Sequence, residues 1–97
     1  MAKFKLETTV RFKKEAKLCK RRGLPMDELW IVVGKLLDGE TLDDKYKVHH
    51  LTENYQGCKE CHIKPDWLLI WKEINDTLTL LLTNTGSHSD LFGKSRK

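Results

Sequence analysis

Two hydrophobic periods alternate along the chain. Phe4 and Leu6 are interleaved with Lys3, Lys5 and Glu7, which predicts a short strand with one buried face. The period then lengthens. Thr8 or Thr9 suits a helix cap, and Phe12, Ala16 and Cys19 follow at steps of four and three, the apolar stripe of a helix that Gly23 stops. Pro25 suits the first turn of a second helix, and Asp27 and Glu28 suit its positive end. Leu29, Val32, Val33, Leu36 and Leu37 then form the clearest helical stripe in the sequence, ended by Gly39. Residues 40–57 read as a long polar loop, part of which can pair as a strand. Loops of that length in a small domain are usually functional or mobile.

From residue 58 the short period returns. A first strand is expected over 58–63, and Lys64-Pro65-Asp66 makes a turn, with Pro presetting φ. Trp67–Lys72 is apolar enough for a central strand. Asn75-Asp76 is the next turn, after which Leu78, Leu80 and Leu82 alternate with Thr77, Thr79 and Thr83 in a third strand. The order β-α-α-β-β-β predicts an α+β fold: a mainly antiparallel, twisted sheet with the two N-terminal helices packed on it as a hairpin. Ninety-seven residues suit one domain, 1–97, with one modest core and a frayed, flexible tail at 94–97.

Composition and charge narrow the function. Charged residues at 33% and hydrophobic ones at 39% are ordinary for a globular protein and argue against disorder. The longest uninterrupted apolar run, Trp67–Trp71, is too short for a bilayer span or a signal core. A cytoplasmic protein without a membrane partner is expected, its three cysteines reduced. The net charge of +4 is unevenly spread: residues 1–22 carry +7, residues 23–44 carry −5 and the remainder +2. A basic block of this kind favours a polyanion such as RNA, although a solvated helix face has the same composition.

Cys58-Lys59-Glu60-Cys61-His62 matches the C-x-x-C-H pattern of c-type haem attachment. Haem attachment needs an export route, and here the motif falls in an expected strand. A lone C-x-x-C also supplies only half of a structural zinc site. Two reduced thiols without functional weight are expected, and no cofactor. The four histidines are His49, His50, His62 and His88. Histidine titrates near neutral pH and suits proton transfer. Cutting RNA without a metal needs a base for the 2′-OH, an acid for the leaving 5′-oxygen and positive donors for the phosphate. Two or three histidines, a carboxylate and nearby lysines such as Lys47 and Lys64 can supply all of these. The same residues can equally be scattered surface groups, with Asp66 a turn residue. A metal site is weakly signalled, because no two histidines stand four apart on a helix. Phe92 can be a core plug or a platform on which an unpaired base stacks.

Three ordered segments carry a family resemblance. Tyr46-Lys47-Val48-His49-His50-Leu51 resembles the Y-K-x-H-x-L loop of RelE/YafQ-type toxins. Cys61-His62-Ile63-Lys64-Pro65-Asp66-Trp67-Leu68-Leu69-Ile70-Trp71-Lys72 is similar to their H-x-x-P-D-W segment and the apolar strand after it. Thr85-Gly86-Ser87-His88-Ser89-Asp90-Leu91-Phe92-Gly93 resembles their terminal T-G-[ST]-H-x-x-L-F-G. The resemblance implies a microbial ribonuclease-like α+β fold. It implies a toxin that enters the ribosomal A site, cuts the mRNA there by 2′-OH attack on the adjacent phosphate, and so stops translation. The implied partners are ribosome-bound mRNA, rRNA and a cognate antitoxin protein, with no metal or other cofactor. His49, His62, Asp66 and His88 fall on the family's catalytic positions, and Phe92 on the aromatic that helps hold the mRNA; Lys47 and Lys64 are the RNA-binding lysines expected beside them. In that scheme His88 and Asp66 exchange protons, while His49 and His62 hold the scissile phosphate. His50 stands where the family often has Pro, which leaves open whether it or His49 acts. Trp71 replaces a usual Tyr, and Cys58 and Cys61 are not part of the pattern. The competing reading is a basic RNA- or ribosome-binding module without catalysis.

Overall fold

The structure is a computed structural model that describes residues 2–52 and 55–93. Strand β1 (Lys5–Thr8) leads into helix α1 (Val10–Arg21), and helix α2 (Met26–Leu37) follows. Strands β2 (His49–His50), β3 (Lys59–Lys64), β4 (Trp67–Ile74) and β5 (Thr79–Gly86) come next, and the short helix α3 (His88–Phe92) is last. The strand order is β1-β5-β4-β3-β2. Three of the four pairings are antiparallel, and β1 runs parallel to β5. This is the expected α+β arrangement. The expected flexible tail, 94–97, lies outside the described residues. No helix of the described residues is long and apolar enough to cross a membrane.

Local chemistry explains the helix boundaries. Thr9 caps α1: its Oγ1 accepts from Phe12 N at 2.9 Å and donates to Thr83 O at 3.0 Å, pinning the helix start to β5. Pro25 occupies the cap position of α2, one residue before the helix begins. Each helix stops at a glycine in the left-handed region, Gly23 at φ 83° and Gly39 at φ 77°.

As its apolar run predicts, β4 is the central strand, and Trp67 to Trp71 are all buried. Its alternation serves two cores. Trp67, Leu69 and Trp71 join Phe12, Cys19, Leu29, Val33, Cys61, Leu80 and Leu82 beneath the two long helices. Leu68 and Ile70 face the other way and are covered by Cys58, Leu91, Leu51, Tyr55 and Phe92. The second face of the sheet is thus closed by Leu51, Tyr55 and Cys58 and by α3. Cys58 and Cys61 belong to opposite cores, so the C-x-x-C pair does not converge on one side of the sheet. Burial pushes the Cys61 thiol up to about 12, with Glu60 adding to the rise, so it stays protonated and unreactive near neutral pH. Replacing Cys58 and Cys61 together by alanine should leave RNA cleavage within about threefold of the parent while costing about 1–2 kcal/mol of stability. A collapse of cleavage in a protein that still melts cooperatively would give the thiols a functional role.

Three expectations need correction. Leu6 does not bury a strand face: it is 41% exposed, because β1 is an edge strand and the helices pack further in, over β5 and β3. Phe4 is buried, but in the bend before β1. The third strand of the C-terminal half starts later and ends later than the Leu/Thr alternation suggests. Asn75–Thr77 forms a 3-10 turn and Leu78 sits in the left-handed region at φ 49°, 49% exposed, so pairing begins only at Thr79. A bulge opposite Ile70 and Trp71 then shifts the register and carries β5 on to Gly86. Finally, the residues after β5 form α3, too short to show a helical stripe.

Candidate active site

Strand register assembles the site. Leu68 near the start of β4 pairs with His62 of β3 on one side and with Gly86 at the end of β5 on the other. Asp66, two residues before Leu68, and His88, two residues after Gly86, are therefore brought together. One strand further out, His49 of β2 pairs with Glu60 of β3, two residues from His62 and on the same face. The His49 and His62 rings lie 6.2 Å apart, His62 and His88 5.7 Å, and His88 and Phe92 6.2 Å, centre to centre. His49, His62, Asp66, His88 and Phe92, separate in sequence, form one row.

Hydrogen bonds orient each ring. Asp66 Oδ1 accepts from the backbone N–H of His88 at 3.2 Å and from its ring Nδ1 at 3.1 Å. A carboxylate only accepts, so the proton sits on Nδ1 and Nε2 faces outward. The hydrogen bond from the His88 ring, then that from its backbone, holds the Asp66 carboxyl below its usual range. His62 Nδ1 donates to Pro65 O at 3.2 Å, which likewise leaves Nε2 on the open side. His49 Nδ1 donates to Lys47 O at 2.9 Å, and its Nε2 lies 2.9 Å from Glu60 Oε1. Both partners of His49 are acceptors, so the ring is held from both of its nitrogens. Lys47 can present its carbonyl there because it adopts a left-handed conformation, φ 52°, after the Asp44–Tyr46 3-10 turn.

Glu60 is the residue that sequence reasoning missed. Its side chain is only 4% exposed, against 70% for Asp66. Oε1 also lies 3.9 Å from His62 Nε2, so one carboxylate stands between two histidines. Oε2 is buried without a partner among the described residues. The available signal was strand parity: a Glu two residues before a candidate His on the same strand shares its face. Tyr55 was also missed. It packs edge-on against Phe92 at 5.4 Å and its OH donates to Leu91 O at 3.3 Å, which braces the aromatic end of the row.

The two candidate lysines flank the row. A cavity of about 440 Å³ beside His62 is lined by Lys45, Tyr46, Lys47, Lys64 and Pro65. Lys64 Nζ is held 3.2 Å from Glu28 Oε1 of α2. His50, adjacent to His49 on β2, pairs with Lys59 and is exposed. The structure thus brings His49, and not His50, onto Glu60 and His62. Among the described residues no three His, Cys, Asp or Glu side chains are grouped as metal ligands.

Comparison with known proteins shows the family. A family model described as a bacterial toxin of type II toxin–antitoxin systems, YafQ, matches residues 4–93. The mRNA interferase toxin YafQ of Escherichia coli (strain B / BL21-DE3) is 35% identical over 89 residues, 91% of this chain and 95% of that protein. A chain of the E. coli DinJ–YafQ complex matches with a TM-score of 0.85 at 32% identity, over 93% of this chain and 99% of that one. A metal-bound toxin from Helicobacter pylori matches with a TM-score of 0.86 at 38% identity, over 92% of this chain and 99% of that one. The chain belongs to the YafQ family of bacterial type II toxin–antitoxin toxins.

Proposed function

We propose that this toxin is an endoribonuclease that cuts mRNA in the ribosomal A site by acid–base chemistry of His49, His62, Asp66 and His88. Residues 1–97 would act as a single toxin domain, in the cytoplasm where translation runs, and a cognate antitoxin would neutralise it. The observation that carries this reading is the His88–Asp66 pair, set 5.7 Å from His62 in an open row. Asp66 holds the His88 ring by Nδ1 and leaves Nε2 for the substrate. With both ring nitrogens protonated, Nε2–H would protonate the departing 5′-oxygen as its bond to phosphorus breaks, while the 2′-OH oxygen bonds to phosphorus and its proton passes to the Asp66 carboxylate, leaving a 2′,3′-cyclic phosphate and a 5′-hydroxyl. His49 and His62 would face the charge that develops on the phosphate. Phe92, braced by Tyr55, offers a stacking face, and Lys47 and Lys64 offer positive charge along the neighbouring cavity.

The test is incubation of the purified protein with mRNA, or with mRNA carrying a 2′-deoxy sugar in the A-site codon, on a programmed ribosome in magnesium buffer, followed by mapping of the fragment ends. Cleavage in the A-site codon that needs the 2′-hydroxyl and leaves 5′-hydroxyl ends is the expected outcome. Cleavage of the deoxy substrate, with 5′-phosphate ends, would replace the 2′-OH mechanism. Ribosome binding without any cleavage would support a non-catalytic RNA-binding module.

A further inference from the structure

We propose that Arg22 and Asp90 form a clasp that positions His88 for cleavage, so that both are positioning residues of the reaction; the inference rests on the endoribonuclease reading above. His88 is the first residue of α3, a helix of five residues. So short a helix has little stability of its own, and the placement of His88 depends on what ties α3 down. Leu91 anchors it from below, in the second core. Beyond the direct bonds to Asp66, the tie nearest His88 is Asp90. Its Oδ2 accepts from Ser87 N at 3.0 Å, and Ser87 Oγ accepts from Asp90 N at 3.1 Å, a reciprocal cap that sets the backbone immediately before His88. Space at the strand end is matched to this carboxylate: a Cβ on Gly86 would stand 3.1 Å from both Asp90 Cβ and Oδ2.

Arg22 fastens the cap to the body of the protein. It grips Asp90 with two parallel donors, Nη1 to Oδ2 at 2.7 Å and Nη2 to Oδ1 at 3.3 Å. Arg22 is itself fixed: it is the C-cap of α1, and its backbone N–H reaches Leu18 O at 3.0 Å and Cys19 O at 3.2 Å. Cys19 is buried in the main core. A continuous path thus runs from that core through Arg22 and Asp90 to Ser87, and on to His88 and Asp66. The Arg22 hydrogen bond, then that from Ser87, keeps the Asp90 carboxyl below its usual range, so the clasp stays closed over the neutral range. Its side chains are 48% and 24% exposed, and a pair that open to water adds little to overall stability. A displacement of about 1 Å at a reacting group, in contrast, can cost two orders of magnitude in rate.

Opposite charge changes separate this role from direct RNA contact. Arg22→Gln removes a positive charge and Asp90→Asn removes a negative one, while the Asn amide oxygen can still accept from the N–H of the N-cap Ser87. A phosphate-binding Arg22 would be weakened by the first change and freed by the second. A clasp is opened by either. Each single variant should lower the single-turnover cleavage rate on ribosome-bound mRNA about tenfold with ribosome affinity within about threefold. The double variant should lose no more than either single one, since both break the same link. Arg22→Lys, which offers a point charge and no fork, should recover only part of the rate. Rates within twofold of the parent, additive losses, or effects of opposite sign for Arg22→Gln and Asp90→Asn would overturn the clasp. Should the parent protein fail to cut mRNA at all, the endoribonuclease reading falls, and the clasp is judged by ¹⁵N NMR of the His88 ring. There the Nδ1-protonated tautomer should lose population in Arg22→Gln. Unchanged ring-nitrogen shifts would overturn the clasp on their own.

Discussion

His88→Ala should lower single-turnover cleavage of ribosome-bound mRNA by about 10²–10⁴-fold, the usual effect of losing a positioned proton donor or acceptor. The 5′-oxygen is a poor leaving group until it is protonated, and His88 Nε2, which must take up the proton it delivers, lies across the ring from an Nδ1–H held by the Asp66 carboxylate. Asp66 Oδ1 receives both the ring and the backbone of His88, so the carboxylate sets the tautomer and the ring direction together. The side chain of His88 is 54% exposed, and the main-chain bond to Asp66 survives its removal, so stability should change by less than about 0.5 kcal/mol. Ribosome affinity and antitoxin capture should stay within about threefold, because neither the basic face of α1 nor Lys47 and Lys64 is touched. A cleavage rate within threefold of the parent would remove His88 from the mechanism. Equal losses of rate and ribosome affinity would make it a binding residue. The same measurement on Asp66→Asn separates the pair. If Asp66 acts through His88, then Asp66→Asn in the His88→Ala background should add little to the loss.

The elements that were legible in the sequence are those whose pattern is local and repeated. Leu29, Val32, Val33 and Leu36 mark α2 because a helix facing one core repeats its stripe over three turns. Trp67 to Trp71 mark the central strand because both of its faces are covered. Thr9 announces α1 by its capping side chain. What stayed hidden depends on pairing between distant segments. β2 is two residues long and exists only because His49 and His50 find Glu60 and Lys59 across a loop. That pairing chooses His49 over His50, since neighbours on a strand point to opposite faces. α3 carries one buried residue, Leu91, which is too little for any period to register. The residues of the row were named from three family-like segments, but no local pattern shows that they meet. Register about Leu68 does that, and it also explains how a turn residue such as Asp66 comes to lie against a histidine 22 positions later. Glu60 went unnoticed because a charged residue in a strand of a basic protein reads as solvated, whereas its place between His49 and His62 is set by the β2 pairing.

Glu60 is where stability and site chemistry should pull in opposite directions. Its side chain is only 4% exposed, and Oε2 has no hydrogen-bond partner among the described residues. An unpaired buried carboxylate oxygen carries a desolvation cost that the contact of Oε1 with His49 offsets only in part. Replacing a buried ion pair by apolar side chains of similar volume is often neutral or stabilising, and removing one partner alone is costly where the other stays buried. Glu60→Met is such a change, because the long flexible thioether can fill the same space beside Ile70. His49 is about half exposed and can turn its freed Nε2 to water, so it brings no new buried penalty. The variant should therefore be more stable by about 1 kcal/mol, a rise in melting temperature of about 4–8 °C for a domain of this size. Cleavage should move the other way. Without Glu60, the His49 ring loses the acceptor on Nε2 and keeps only the Lys47 carbonyl, so it can swing out of the row. A phosphate-facing group that is no longer preorganised should cost about 10–10²-fold in the single-turnover rate. Thermal unfolding and cleavage by the same preparation decide the matter. A melting temperature lowered by more than a few degrees would make Glu60 a support of the fold. A raised melting temperature with a cleavage rate within threefold of the parent would show that His49 and His62 do their work without it.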